Sequence, residues 1–175
     1  MKTLGLLRHA KSDWDDIAKR DFDRGLNGRG RRGAALMGGH IAAHGVVWER
    51  TIASSAERVK QTLAEALPDA EIEWDKRAYL ASSATLIELL RELGGDEQAI
   101  MLAGHNPGLQ DLIFDIVPPS AENALFDEAA GKFPTATFAV LELDIDTWEE
   151  LAGDCGKLVH LKRPRDLDPE LGPES

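Results

Sequence analysis

The 175-residue chain is long enough to bury a substantial core as one domain, and its 43% hydrophobic and 29% charged residues are those of an ordinary globular protein. A formal charge of −11 excludes recognition of a nucleic-acid backbone, which needs a basic surface, so any cationic pocket must be local. The single cysteine, Cys155, excludes an intramolecular disulfide, and no apolar run reaches the length of a membrane span.

In chain order, short apolar runs alternate with longer amphipathic ones. "TLGLL" (3–7) is strand-length and too short for a secretory signal core, so the expected location is cytoplasmic. Residues 27–44 form the first predicted helix in spite of five glycines. "RTIAS" (50–54) is the second strand, and "SSAERVKQTLAEAL" after it carries Ser54 and Glu57 at capping-box spacing. "EIEWD" (71–75) is a third strand; "SATLIELLRELGG" places Leu86, Leu89, Leu90 and Leu93 on one helical face. "AIMLAG" (99–104) is a fourth strand, and "NPGLQDLIFDIV" begins a helix with Asn106 as cap and Pro107 at the first helical position.

The C-terminal third differs. Residues 117–135 form a long loop, whose length marks it as functional or mobile. "TATFAVLELDI" and "CGKLVHLKR" are strands joined by a short connection, which favours an antiparallel pair at the sheet edge. The expected fold is therefore α/β with a mainly parallel, mixed sheet. Residues 1–163 form a single domain, and the proline-rich acidic tail, 164–175, is expected to be disordered.

Ligands of open α/β sheets bind beyond the carboxyl ends of the strands. There the first strand delivers Arg8 and His9, the second Arg58 in the first turn of its helix, and the fourth His105 beside a helix N-terminus. Arginine forks and helix N-termini suit a phosphate. Arginines depress the pKa of a neighbouring histidine, and a neutral imidazole beside bound phosphate is a nucleophile. The chemistry indicated is phosphoryl transfer through a phosphohistidine, with the arginines and the second histidine spreading the charge. His40 and His44 stand at a metal-ligand spacing, but no acidic or cysteine ligand completes a set, so they are taken as ordinary helix residues. His160 is assigned to an exposed or half-packed edge position.

"LLRHAKSDW" (6–14), "LNGRG" (26–30), "SSAERVKQT" and "LAGHNPGL" together resemble, in the right order along nearly the whole chain, the histidine phosphatase superfamily of phosphoglycerate mutase-like proteins. Ala10, the compact length, "FPT" and "LKRPRDL" look most like its SixA-type branch, the phosphohistidine phosphatases. The resemblance implies a three-layer α/β sandwich without a cofactor or metal. It also implies His9 as nucleophile, Arg8 and Arg58 as phosphate clamps, and His105 as a second donor. Family members often carry an asparagine six residues after the first histidine; here it is Asp15, which would face away, be protonated or bind a cation. Lys11 and Lys132 are candidates for the mouth of the pocket, and Trp14 is close enough to line it.

The glutamate or aspartate that many members place after the third strand is missing from residues 79–83. Without a proton donor an alkoxide leaves about two to four orders of magnitude more slowly. A phosphorylated imidazole can carry its own proton, so the absence favours phosphohistidine in a protein as substrate. The alternatives are a phosphatase of small phosphorylated metabolites with the same core and a non-catalytic phosphoprotein-binding module. A mutase is disfavoured by the missing acid. Neither nucleic acid nor membrane is an expected partner.

Overall fold

The computed structural model describes residues 1–172. Among them, strands β1 (Lys2–Arg8), β2 (Arg50–Ala53), β3 (Ile72–Trp74), β4 (Ala99–Gly104), β5 (Phe138–Leu143) and β6 (Gly156–Lys162) make one sheet in the order β3-β2-β4-β1-β5-β6. The first four are mutually parallel; β5 runs antiparallel to β1, and β6 antiparallel to β5 at the edge. The sheet is thus mixed as expected, and the alternation of short apolar runs with helices is its cause.

Helices cover both faces. Leu4, Leu6, Ile100 and Leu102 point to α3 (Ser83–Leu93), α4 (Gly108–Ile116) and α5 (Ala124–Gly131), in a core closed by Trp148. Leu7, Ala53, Met101 and Ala103 point the other way, to α1 (Gly28–His44) and α2 (Glu57–Ala66). This is the period-two alternation of strands buried on both sides. The glycines that weaken the α1 pattern are contact points. A Cβ on Gly38 would stand 2.5 Å from the Ala66 carbonyl oxygen, and one on Gly30 2.2 Å from that of Lys11.

Four local expectations are corrected. The helix after β2 starts at Glu57 with Ala56 as cap, while Ser54 turns into the interior and accepts from the Ala56 N–H. The α4 cap is Pro107, one residue later than expected, after a cis Asn106–Pro107 peptide. Residues 117–135 are not a structureless loop: α5 lies within them, capped by Asn123 and anchored by buried Phe126 and Ala129. Finally, the described part of the tail is ordered as α6 (Pro164–Leu167) and a 3₁₀ turn at Pro169–Leu171. Pro164 is buried, and arginines of α1 hold the tail, Arg29 through the Gly172 carbonyl and Arg32 through Asp168 and Glu170. Residues 173–175 of that expected tail lie outside the described residues.

Gly38→Ala gains helix propensity of about 1 kcal/mol but forces a methyl group into the α2 backbone, which costs about 1–3 kcal/mol. Urea unfolding is expected to show net destabilisation; a more stable variant would contradict the close α1–α2 approach.

Candidate active site

The strand register assembles the site. Arg8 on β1 is paired with Gly104 on β4, and Ala53 on β2 with Ala103. The ladder continues one residue past each strand: His9 N–H donates to the Gly104 carbonyl (3.0 Å) and Ser54 N–H to that of Ala103 (3.1 Å). Consequently Ser54, His105 and His9 stand abreast at the carboxyl edge of three parallel strands, with the His9 and His105 rings 5.3 Å apart.

Arg8, His9, Arg58 and His105 line one cleft of about 300 Å³, together with Lys11, Ser12, Trp14, Asp21, Leu80, Asn106 and Thr135. Asp15 is not among its lining residues; it lies on the exposed loop beyond, its N–H donating to Asp13. Lys132 lines a neighbouring cavity that Lys11 shares.

His9 is 8% exposed, and its Nδ1 lies 2.7 Å from the Ala10 carbonyl oxygen. A carbonyl only accepts, so the neutral ring carries its proton on Nδ1 and its lone pair on Nε2. Burial, with Arg8 and Arg58, pushes the His9 pKa down to about 4, against the raising effect of the Ala10 carbonyl. His105 is pushed down to about 3 by burial, His9 and Arg58. Its Nδ1 faces Arg58 Nη2 at 3.3 Å and its Nε2 faces Ser54 Oγ at 2.7 Å. A guanidinium only donates, so Nε2 carries the proton of this ring.

Arg58 is 5% exposed and is fixed from the side of a segment that sequence reasoning missed. Its Nη1 donates to the Asp21 carbonyl (2.8 Å) and its Nη2 to the Asp21 carboxylate (3.0 Å), which the Tyr79 hydroxyl also reaches. Burial opposes ionisation of Asp21, but Tyr79 and Arg58 outweigh it and hold the carboxyl below its usual range. Arg8 donates from Nη1 to the Phe133 carbonyl (3.0 Å), which also accepts from Asn106 Nδ2 (3.1 Å). Thr62, fully buried, accepts from Ala10 N–H and donates to the Arg58 carbonyl, tying the loop after β1 to α2. Asp21 and Tyr79 carried no spacing signal, and Ser54 and Asn106 read as helix caps, because their partners in the site are remote in sequence.

Two arginines and two neutral imidazoles round one cleft are an arrangement that can hold an anion and offer it a nucleophile. Among the described residues, no group of three or more His, Cys, Asp or Glu is arranged to hold a metal ion, and no helix is long and apolar enough to cross a membrane. His160, which the sequence reading kept apart from His40 and His44, packs against both away from this cleft, with His40 and His160 Nε2 atoms 2.8 Å apart.

With the folded values at about 4 and about 3 and an unfolded value of 6.5, the unfolded chain binds more protons than the folded one once the pH falls below 6.5. Stability from these two groups is therefore present above that value and lost as pH falls through about 4 for His9 and about 3 for His105. Ring resonances of His9 and His105 are expected to stay at neutral positions from about pH 8 to about 5.5 in an NMR titration. A His9 ring titrating near 6.5 would contradict the burial and charge described.

Residues 4–82 match the model of the histidine phosphatase superfamily (branch 1). An uncharacterized protein of Mycobacterium tuberculosis is 35% identical over 161 residues, which span 91% of this chain and all of that protein. Among solved structures, the "putative phosphohistidine phosphatase SixA" of Nakamurella multipartitia is 26% identical, with a TM-score of 0.82 over 93% of this chain and 96% of the other. The "putative phosphohistidine phosphatase SixA" of Agrobacterium tumefaciens is 28% identical, with a TM-score of 0.74 over 93% and 98%. The motifs, the sheet order and these likenesses agree: the chain belongs to the histidine phosphatase superfamily and is of the SixA type.

Proposed function

We propose that the protein is a metal-independent phosphatase that removes the phosphoryl group from phosphohistidine in a protein, using His9 as the nucleophile. One observation carries this reading: the Ala10 carbonyl holds the His9 proton on Nδ1, so that Nε2 offers its lone pair beside two guanidinium groups. In the first step Nε2 attacks phosphorus and the P–N bond to the substrate imidazole breaks. The departing ring takes up the bond's electron pair, having already bound a proton. In the second step water attacks the phosphorus of phospho-His9 and the Nε2–P bond breaks with its electron pair returning to Nε2; the water's proton passes to bulk solvent, leaving phosphate and neutral His9. Arg8 and Arg58 bind the equatorial oxygens throughout, and His105, its one N–H directed at Ser54, braces Arg58 through Nδ1.

The state of Asp21 supports phosphohistidine over an ester. It is the carboxylate in the cleft, yet Arg58 and Tyr79 keep it ionised, so it brings no proton to a leaving alkoxide at neutral pH. The exposed side chains of Trp14 and Leu80 at the cleft suit an open site that meets a protein surface.

Brief incubation with a phosphohistidine protein and rapid quenching is expected to trap acid-labile phosphate on the wild type and none on His9→Ala, whose turnover falls by at least about a thousandfold. Faster turnover of phosphate monoesters than of phosphohistidine would overturn the substrate assignment; no labelling and no turnover would leave a binding module. Asp21→Asn is expected to hold kcat on phosphohistidine within about tenfold, whereas loss of a general acid costs about 10²–10⁴. A loss in that range would make Asp21 the proton donor.

A further inference from the structure

His40 and His44 of α1 and His160 of β6 pack around the buried Phe138 ring of β5, at centroid distances of 6.2, 5.7 and 5.7 Å. The phosphoryl-transfer chemistry makes no use of them. His160 reaches this place through a β-bulge: Val140 is paired with His160 and the next residue, Leu141, with Leu158, which leaves Val159 between them without a partner. Leu158 and Leu161 join the core of α3, α4 and α5, whereas Val159 packs on the α1 side. Strict alternation from Val159 would turn His160 away from α1. The bulge re-aims it, at the expense of regular pairing, and brings it against His40 and His44.

The His40 and His160 Nε2 atoms are 2.8 Å apart, with ring planes 11° from parallel and centroids 5.1 Å apart. That centroid separation is about the largest that such an N–N contact permits, so the rings lie edge to edge with both nitrogens on one line. The contact is an Nε2–H···Nε2 hydrogen bond, in which one neutral ring donates and the other accepts. Zinc ligation is a different geometry, with each nitrogen about 2.0–2.1 Å from the ion and the bonds meeting at a tetrahedral angle.

The bond holds one proton, and a second would set N–H against N–H. Among the described residues, the charged or titratable groups acting on the pair are His44 and Lys162, which add only positive charge. On β5, Glu142 is paired with Lys157, and on α6, Asp166 with Arg163. The segment after α1 brings the Trp48 ring to Phe138, while its Glu49 accepts from the Gln98 and Ala99 N–H groups. Burial, His44, His40 and Lys162 push His160 down to about 4; burial, Lys162 and His44 lower His40. The unfolded value is 6.5, so the stability that His160 lends is present above 6.5 and lost as pH falls through about 4.

We propose that the His40–His160 pair is an acid-sensitive clip, which fastens edge strand β6 to α1 while both rings are neutral and releases it when either gains a proton. The clip is independent of the phosphatase reading. β6 runs through Arg163 into α6, whose Pro164 and Arg165 wall the cavity beside the cleft, so release loosens the strand behind that wall.

The test needs no substrate. In the full ¹⁵N-labelled chain, a scalar coupling between the two Nε2 nuclei across the hydrogen bond is expected at about pH 7.5 and is expected to vanish as His160 titrates. Amide exchange, corrected for the intrinsic effect of pH, is expected to quicken about tenfold more in β6 than in β1 between about pH 7.5 and about pH 4. His160→Gln keeps a side-chain oxygen that accepts from His40 in either charge state of that ring, and should remove the excess. Absence of the coupling at neutral pH would overturn the clip. Exchange in β6 that quickens only as much as in β1, or as much in His160→Gln as in wild type, would overturn its response to acid. If His160→Gln fails to fold, the coupling and the β6–β1 comparison in wild type decide the matter.

Discussion

Arg8 lies opposite Gly104 in the parallel β1–β4 pair, and Ala53 lies opposite Ala103 in β2–β4; the remainder of the site hangs on that alignment. A slip of one residue would turn every side chain of a strand to the other face of the sheet, exchanging Leu6 for Leu7 in the two cores. Register is therefore held by the whole apolar content of both layers. The chemistry at the strand ends inherits its precision from packing far below it.

The second constraint is electrostatic. Two arginines are brought into one cleft of a chain with a net charge of −11, and Arg58 is almost wholly buried. Desolvating a charge costs several kcal/mol unless partners compensate. Asp21 and its backbone carbonyl provide that compensation for Arg58, and the Phe133 carbonyl does so for Arg8. The same positive environment, added to burial, keeps His9 and His105 neutral. Neutrality is the state in which an imidazole nitrogen can attack phosphorus, so on the proposed reading the charge that would bind an anion also prepares the nucleophile.

Segments with little regular structure have large effects here. The Phe133 carbonyl that receives Arg8 and Asn106 follows α5, in a stretch whose composition announces a loop. The eight residues of α5 are too few for a clear period, and only Phe126 and Ala129 mark its buried side. The tail from Pro164 has a composition usual for disordered chain, but its acidic side chains meet Arg32, and Arg29 reaches its backbone. Contacts with α1 outweigh local propensity, and propensity cannot anticipate them.

By itself the sequence determined the strands, most helices, and that Arg8, His9, Arg58 and His105 come to one edge of the sheet. Arg8, His9 and His105 come directly at the end of an apolar run, and Arg58 stands in the first turn of the helix that follows one. Only the tertiary structure decided that Asp21 and Tyr79 meet Arg58, that Ser54 faces His105 rather than capping α2, and that Asp15 stands outside the cleft. Asp21 lies 37 residues from Arg58, and Ser54 lies 51 from His105. Contacts at such separations are set by sheet register and helix packing, and no local pattern of residues encodes them.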